Sequence, residues 1–128
     1  MSIHESGEMY LETIYVLQKK KGDIRSIDIA NELGYTKPSI SRAVGILKKN
    51  DYIEVDSTGL ITLTDEGEKI ASRIYERHDL ITKYFVYLGV DEETASQDAC
   101  RIEHVISQAT FEKMKEDYEK RLNKQAPI

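Results

Sequence analysis

The chain has 128 residues, of which 40% are hydrophobic and 32% charged, and its formal net charge is −5. This size suits one ordinary domain, or a small module joined to an oligomerisation module. Because no apolar run approaches the roughly 20 residues of a membrane helix and no signal-peptide pattern is present, we expect a cytoplasmic protein. The single cysteine excludes an internal disulfide and favours a reducing compartment.

The distribution of charge matters more than its sum, since a net negative charge argues against a nucleic-acid partner. Residues 37–50 contain four basic residues and no acidic residue. A local basic stripe on an otherwise acidic protein can still contact phosphates, although it makes fewer contacts than a strongly basic domain. The net charge of the whole chain therefore does not exclude DNA binding.

Three helices are predicted at the start of the chain. Apolar residues at helical spacing indicate the first helix, from Gly7 to about Lys20. Ser26 is expected to cap a short second helix, which ends at Gly34. Residues 36–38, Thr-Lys-Pro, open the third helix, because proline is tolerated in a first turn. Two short helices joined by a glycine-containing turn are typical of a helix-turn-helix.

A β-hairpin is predicted directly after the third helix. Residues 52–55 and 60–63 have strand character, and residues 56–59 between them are rich in turn formers. A hairpin that follows a recognition helix is a wing. The first 64 residues therefore predict a winged helix-turn-helix DNA-binding domain within a mainly α-helical fold.

The second half is predicted to be helical and to form a dimer. A long helix begins at residues 64–66, where acidic side chains suit the helix dipole, and ends at Gly89. The apolar stripe of this helix has a larger surface area than a small winged-helix domain can cover alone. We therefore expect the long helix to pack against a second subunit. Asp91 is expected to cap the next helix, and residues 111–124 form a charged amphipathic helix.

The exposed face of the third helix carries the candidate DNA-reading residues. Arg42 suits bidentate contacts to guanine, and the smaller polar residues suit phosphates or short base contacts. A winged helix used only for protein contacts is the alternative, and the basic, acid-free composition of this helix argues against it. The candidates are Lys37, Pro38, Ser39, Ser41, Arg42 and Lys48.

Three residue types that bind metals lie close together at Cys100, Glu103 and His104. On a helix they occupy positions i, i+3 and i+4, which puts the three side chains on one face. Thiolate, carboxylate and imidazole make half of a transition-metal site. The alternative is a small buried thiol beside a surface glutamate and a helical histidine.

Further ligands have to come from other helices. Met9 and Glu12 lie three residues apart on the first helix, and His78 lies on the long helix. Each also has an ordinary interpretation, since Met9 suits a core, Glu12 a solvated charge and His78 a polar surface.

Five motifs together resemble the diphtheria toxin repressor family of metal-activated transcriptional regulators, in its two-domain form without an SH3-like domain. The resemblance covers residues from about 5 to 122. It implies a winged-helix DNA-binding domain at 1–64 and a helical dimerisation and metal-binding domain at 65–128, which bind a palindromic operator as a homodimer. The motifs occupy residues 8–15, 38–42, 62–67, 77–78 and 99–105.

The resemblance also implies the ligands. An iron-type primary site falls on Met9, Cys100, Glu103 and His104. His78 matches an iron-type ancillary site in which Thr82 and Gln97 replace the expected glutamate and histidine, and Glu12 matches a second-site ligand of the manganese-type branch. A metal that joined residues of both domains would fix the orientation of the DNA-binding domain in each subunit.

Sulfur ligands favour Fe(II) over Mn(II), which prefers oxygen. The sequence therefore predicts an Fe(II)-responsive repressor of metal-homeostasis genes, with no membrane or small organic substrate as partner. A Mn(II)-responsive member of the family, or a winged-helix regulator that senses an organic ligand or oxidation, is the alternative. An enzyme with Cys100 as nucleophile is not expected, because neither an orienting third residue nor an oxyanion hole is evident.

Overall fold

The computed structural model describes residues 5–125, which form a mainly α-helical fold with one two-stranded sheet. The chain divides into two compact units, Met1–Arg73 and Ile74–Ile128, and the boundary lies within the fourth helix. The predicted order of three helices, a hairpin and further helices is confirmed. The elements are α1 (Glu5–Lys21), α2 (Ser26–Leu33), α3 (Lys37–Lys49), β1 (Ile53–Val55), β2 (Ile61–Leu63), α4 (Asp65–Leu88), α5 (Glu92–Ile102) and α6 (Gln108–Gln125).

The first unit is a winged helix-turn-helix built around one apolar core. α1 contributes Leu11, Ile14 and Leu17 to this core, and their spacing keeps them on one side of the helix. α3 contributes Ile40 and Leu47. Because these two side chains hold α3 against the core, its opposite face remains in solvent.

Hydrogen bonds and one glycine shape the ends of α2. Gly34 follows Leu33 with a φ of 69°, a left-handed conformation that glycine adopts without strain. The expectation that Ser26 caps α2 is wrong, because the cap residue is Arg25 and Ser26 is already helical. Asp28 explains the shift, since its carboxylate accepts the backbone N–H of Arg25 at 2.8 Å.

The predicted wing is confirmed, and each strand starts one residue later than expected. β1 and β2 pair antiparallel with Ile53 opposite Leu63. Asp56 shapes the tip, because its carboxylate accepts the backbone N–H groups of Thr58 and Leu60 at 2.8 and 3.0 Å. Hydrogen bonds from the Thr58 hydroxyl and these two N–H groups lower the pKa of Asp56.

The long helix α4 begins next to the backbone of the wing. A β-carbon at Gly67 would overlap the main-chain carbonyl of Tyr52, so this position of the helix requires glycine. α4 ends at Leu88, and Gly89 follows with a φ of 110°, as the sequence predicted. Among the residues that the structure describes, no helix is both long enough and apolar enough to cross a membrane.

The second unit contains the rest of α4 with α5 and α6. Ile81, Ala99 and Phe111, one from each helix, form its buried centre. Asp91 caps α5 as expected, because its carboxylate accepts the backbone N–H of Thr94 at 3.0 Å. This unit carries the histidines, the cysteine and the buried glutamate of the candidate metal centre.

Candidate metal centre and DNA-reading helix

Three potential metal ligands meet in the second unit, where α4 packs beside the C-terminal end of α5. His78 Nδ1 lies 2.9 Å from Glu103 Oε2 and 3.7 Å from Cys100 Sγ. One ligand atom from each residue lies within 4.8 Å of the other two. Ligand bonds of about 2.0–2.3 Å would need donor atoms about 3–4 Å apart. The separations therefore fit one metal ion with little rearrangement.

The carboxylate of Glu103 is buried between two imidazoles. Its side chain is 1% exposed, and its second oxygen, Oε1, lies 3.4 Å from Nε2 of His104. A buried carboxylate is costly unless a positive group or hydrogen-bond donors compensate for lost hydration. The imidazole of His78 lies at hydrogen-bond distance from this carboxylate, and a divalent cation would supply positive charge at the same oxygens.

The structure reverses the ordinary interpretation of this cluster, in which a buried thiol lay beside a surface glutamate. Cys100 is exposed, whereas Glu103 is buried. A buried thiol would be inert packing, but an exposed thiol beside an imidazole is accessible to a metal ion. The donor set of thiolate, carboxylate and imidazole therefore fits a transition metal chemically as well as geometrically.

The expectation that the Cys-Glu-His cluster lies on one continuous helix is wrong at its end. α5 stops at Ile102, Glu103 is the cap residue with helical backbone angles, and His104 lies in the following turn. The backbone N–H of Glu103 still donates to the Ala99 carbonyl at 2.9 Å, which completes the last helical turn. Cys100 and Glu103 thus keep the predicted i, i+3 relation, while the turn sets the direction of His104.

The other predicted ligands come from two further helices, His78 from α4 and Met9 and Glu12 from α1. The sequence resemblance assigned His78 and Cys100 to different sites, whereas in the structure they are in contact. Met9 and Glu12 lie on α1 in the first unit, where both are partly buried. The Met9 carbonyl accepts the hydroxyl hydrogen bond of Thr13 at 2.9 Å.

Two residues near this cluster were not identified from the sequence as functional. Ser96 Oγ lies 3.5 Å from Nε2 of His78, the ring nitrogen that faces away from Glu103. Its position four residues before Cys100 on α5 was the available signal, since both then share one helix face. Arg77 is 8% exposed although it is charged, and its place in the apolar stripe of α4 was the signal there.

α3 presents the candidate DNA-reading residues on its solvent side. Thr36 caps the helix, and its hydroxyl accepts the backbone N–H of Ser39 at 3.3 Å. Among the side chains that the structure describes, in residues 6–123, no carboxylate forms an ion pair with Lys37, Arg42 or Lys48. This leaves the three cations available for phosphates or bases. The exposed set is Lys37, Pro38, Ser39, Ser41, Arg42 and Lys48.

Two family models match the chain, one for each half. The model described as the iron dependent repressor, N-terminal DNA binding domain matches residues 2–59. The model described as the iron dependent repressor, metal binding and dimerisation domain matches residues 64–122. The α3 face lies within the first match, and the His78, Cys100 and Glu103 cluster lies within the second.

Curated relatives and solved structures agree with these matches. Proteins named HTH-type transcriptional regulator MntR from Lysinibacillus sphaericus and Bacillus subtilis are 37% identical over 102 residues, which cover 80% of this chain and 73% and 72% of theirs. A structure titled as the manganese regulator SloR has a TM-score of 0.78 and 26% identity. The match covers 93% of this chain and 55% of that one, so this chain spans about half of SloR.

The same fold occurs in more distant solved structures. A structure titled as T. acidophilum IdeR has a TM-score of 0.76 at 24% identity, and the match covers 93% of this chain and 55% of that one. At this identity the likeness establishes the fold alone.

Proposed function

The chain belongs to the iron-dependent repressor family of metal-dependent transcriptional regulators, and from this premise we propose that it is a repressor activated by Fe(II). It is not an enzyme, since its family and its relatives are transcriptional regulators. One observation carries the proposal for the metal. The buried Glu103 carboxylate lies between His78 and His104, beside the exposed thiol of Cys100.

The donor types favour Fe(II). Cys100 would hold the ion as thiolate, Glu103 as carboxylate and His78 as neutral imidazole, and His104 is the fourth proposed ligand. Thiolate and imidazole are softer donors than the oxygens that Mn(II) prefers. The ion would supply the positive charge that stabilises both the buried carboxylate and the thiolate. Met9, a further soft donor, and Glu12 remain proposed ligands from the sequence.

Mn(II) is the second candidate, and the relatives support it. Two relatives at 37% identity are named MntR, and SloR is titled a manganese regulator. The carboxylates of Glu12 and Glu103 suit a harder ion, but the Cys100 thiol does not. The preference between the two ions therefore depends on whether the thiolate or the carboxylates contribute more to the affinity for the metal.

We further propose that a homodimer binds a palindromic DNA operator through α3 of each copy. The exposed basic side of α3 supports the DNA contact, and the matched dimerisation domain supports the dimer. Val86 and Leu88 on α4 are 43% and 56% exposed, which leaves apolar surface for a second copy. Binding to an operator implies the cytoplasmic location expected from the sequence.

The test is operator binding measured anaerobically with each ion. An operator is first selected from random duplex DNA in the presence of Fe(II) and Mn(II), and its binding is then titrated with Fe(II), Mn(II), Zn(II) or a chelator. Fe(II) should activate binding at a lower free concentration than Mn(II), and chelator should abolish binding. Activation by Mn(II) at the lower concentration would favour the second candidate. Binding that persists in chelator would contradict metal activation and favour an organic or oxidative signal.

A further inference from the structure

A buried arginine lies directly beside the metal centre, one residue before His78 on α4. The guanidinium of Arg77 donates from Nη1 to the Glu103 carbonyl at 3.0 Å and to the Ile106 carbonyl at 2.8 Å. Nη2 donates to the side-chain oxygen of Gln108 at 2.8 Å. These three acceptors are neutral oxygens, so these three bonds hold backbone and amide groups in place.

These bonds fix the segment that joins α5 to α6. The last carbonyls of a helix have no partner within the helix, and a side chain that reaches them holds the chain where it leaves. Arg77 bonds the carbonyl of Glu103 at the start of the turn and that of Ile106 near its end. Its guanidinium carbon also lies 5.5 Å from the ring centroid of Phe111, on α6. One side chain therefore connects α4, the turn and α6.

The turn carries two of the proposed metal ligands. Glu103 and His104 are consecutive, and the carbonyl that Arg77 bonds is that of Glu103 itself. His78, which contacts the Glu103 carboxylate, is the next residue after Arg77 on the same helix. The backbone bond and the side-chain contact thus hold Glu103 against α4 at two points.

We propose that Arg77 is a positioning residue for the metal centre, which holds the turn so that Glu103 and His104 are oriented before a metal binds. This inference rests on the proposed function, because it assigns those residues to a metal. The planar fork of arginine is required, since lysine has one nitrogen and cannot span the two carbonyls and the Gln108 amide together. Loss of such an orienting contact typically costs about 10–100-fold in metal affinity.

The experiment measures binding of Mn(II) alone, and of Fe(II) alone under anaerobic conditions, to the full chain by calorimetry. Arg77→Met keeps much of the apolar stem but removes every donor, so we expect affinity for both ions to fall about 10–100-fold. Arg77→Lys should restore part of this loss. Lys83→Met removes an exposed cation from the same helix and should bind like wild type. The Fe(II)-to-Mn(II) affinity ratio should not change, since no ligand has changed.

A purely structural role predicts a different result. In that case Arg77→Met would unfold at lower denaturant, while the folded protein would bind both ions with wild-type affinity. If Arg77→Met does not fold, Arg77→Lys and Gln108→Leu decide the question, and wild-type affinity in both would overturn the proposal. If the wild-type chain itself binds neither ion, the proposed function fails. Binding by wild type with equal binding by Arg77→Met would refute only the positioning role.

Discussion

Replacement of Cys100 by alanine tests the candidate metal centre most directly. The side chain is exposed, so its truncation leaves no cavity, and alanine suits a helix. We therefore expect the free energy of unfolding of the apo protein to change by less than about 0.5 kcal/mol. Any larger effect on metal-dependent behaviour must then come from the lost thiolate and not from damage to the fold.

The loss of metal affinity should be much larger than the change in stability. Mutation of groups that merely orient a ligand costs about 10–100-fold, so removal of a ligand should cost at least about 100-fold, or about 2.7 kcal/mol. Fe(II) should be affected more than Mn(II), because the softer donor is lost. Cys100→Glu is the matched variant, since it replaces sulfur with oxygen and should shift the preference towards Mn(II).

The assay is anaerobic competition for Fe(II) and Mn(II) against a chelating indicator, together with denaturant unfolding of each apo variant. Arg101→Ala, the exposed neighbour on α5, serves as control and should leave both affinities unchanged. Wild-type Fe(II) affinity in Cys100→Ala would refute the assignment, because a ligand atom 3.7 Å from His78 would then contribute nothing.

Three further outcomes are expected. Arg42→Ala should weaken operator binding by about 1–3 kcal/mol and relax base preference at one position per half-site in a binding selection. Gly67→Ala should lower the free energy of unfolding in urea by about 1–3 kcal/mol, because the added carbon overlaps the Tyr52 carbonyl. The hydrogen bond from the Thr94 backbone N–H lowers the pKa of Asp91 in the folded protein from its ordinary value of 3.8. This cap should therefore stabilise the fold fully above pH 3.8, and its contribution should be lost as the pH falls through the lower pKa of the folded state.

Each of these outcomes has a matched control. Lys48→Ala should flatten the salt dependence of DNA binding without a change in base preference, and unaltered specificity in Arg42→Ala would refute the reading face. Gly45→Ala in α3 meets open space and should stabilise, so a similar loss at both glycines would contradict the steric argument. Asp91→Asn keeps the cap without a charge, and acid unfolding identical to wild type would exclude a contribution from Asp91.

The helices and the wing could be predicted because local patterns determine them. Helical spacing located α1 and α3, and turn-forming residues located the hairpin. Serine is the usual cap residue and therefore predicts a cap at Ser26, whereas Asp28 supplies the acceptor from within the helix. In the sequence, this interaction shows only as an acidic residue three positions after the cap residue.

The candidate metal site was only partly predictable. The sequence predicts Cys100, Glu103 and His104 as ligands because they are neighbours in the chain. The contact of His78 with Cys100 and Glu103 depends on how α4 packs against α5, which no local pattern encodes. The end of α5 at Ile102 was missed for a related reason, because the partner of the turn is the distant Arg77. The position of His78 in the cluster and the end of α5 are therefore set by contacts between residues that are distant in the sequence.

Two proposed ligands, Glu103 and Cys100, differ in burial, and this difference affects what a substitution at each would change. Glu103 is buried, and its oxygens face two imidazoles that suit either Fe(II) or Mn(II), so its replacement would disturb packing as well as binding. Cys100 alone in this cluster is soft and exposed. A change there alters donor softness without a change to the core. In the proposed metal centre, we therefore expect a substitution at Cys100 to change the preference between Fe(II) and Mn(II) without a change to the fold or to the DNA-reading helix.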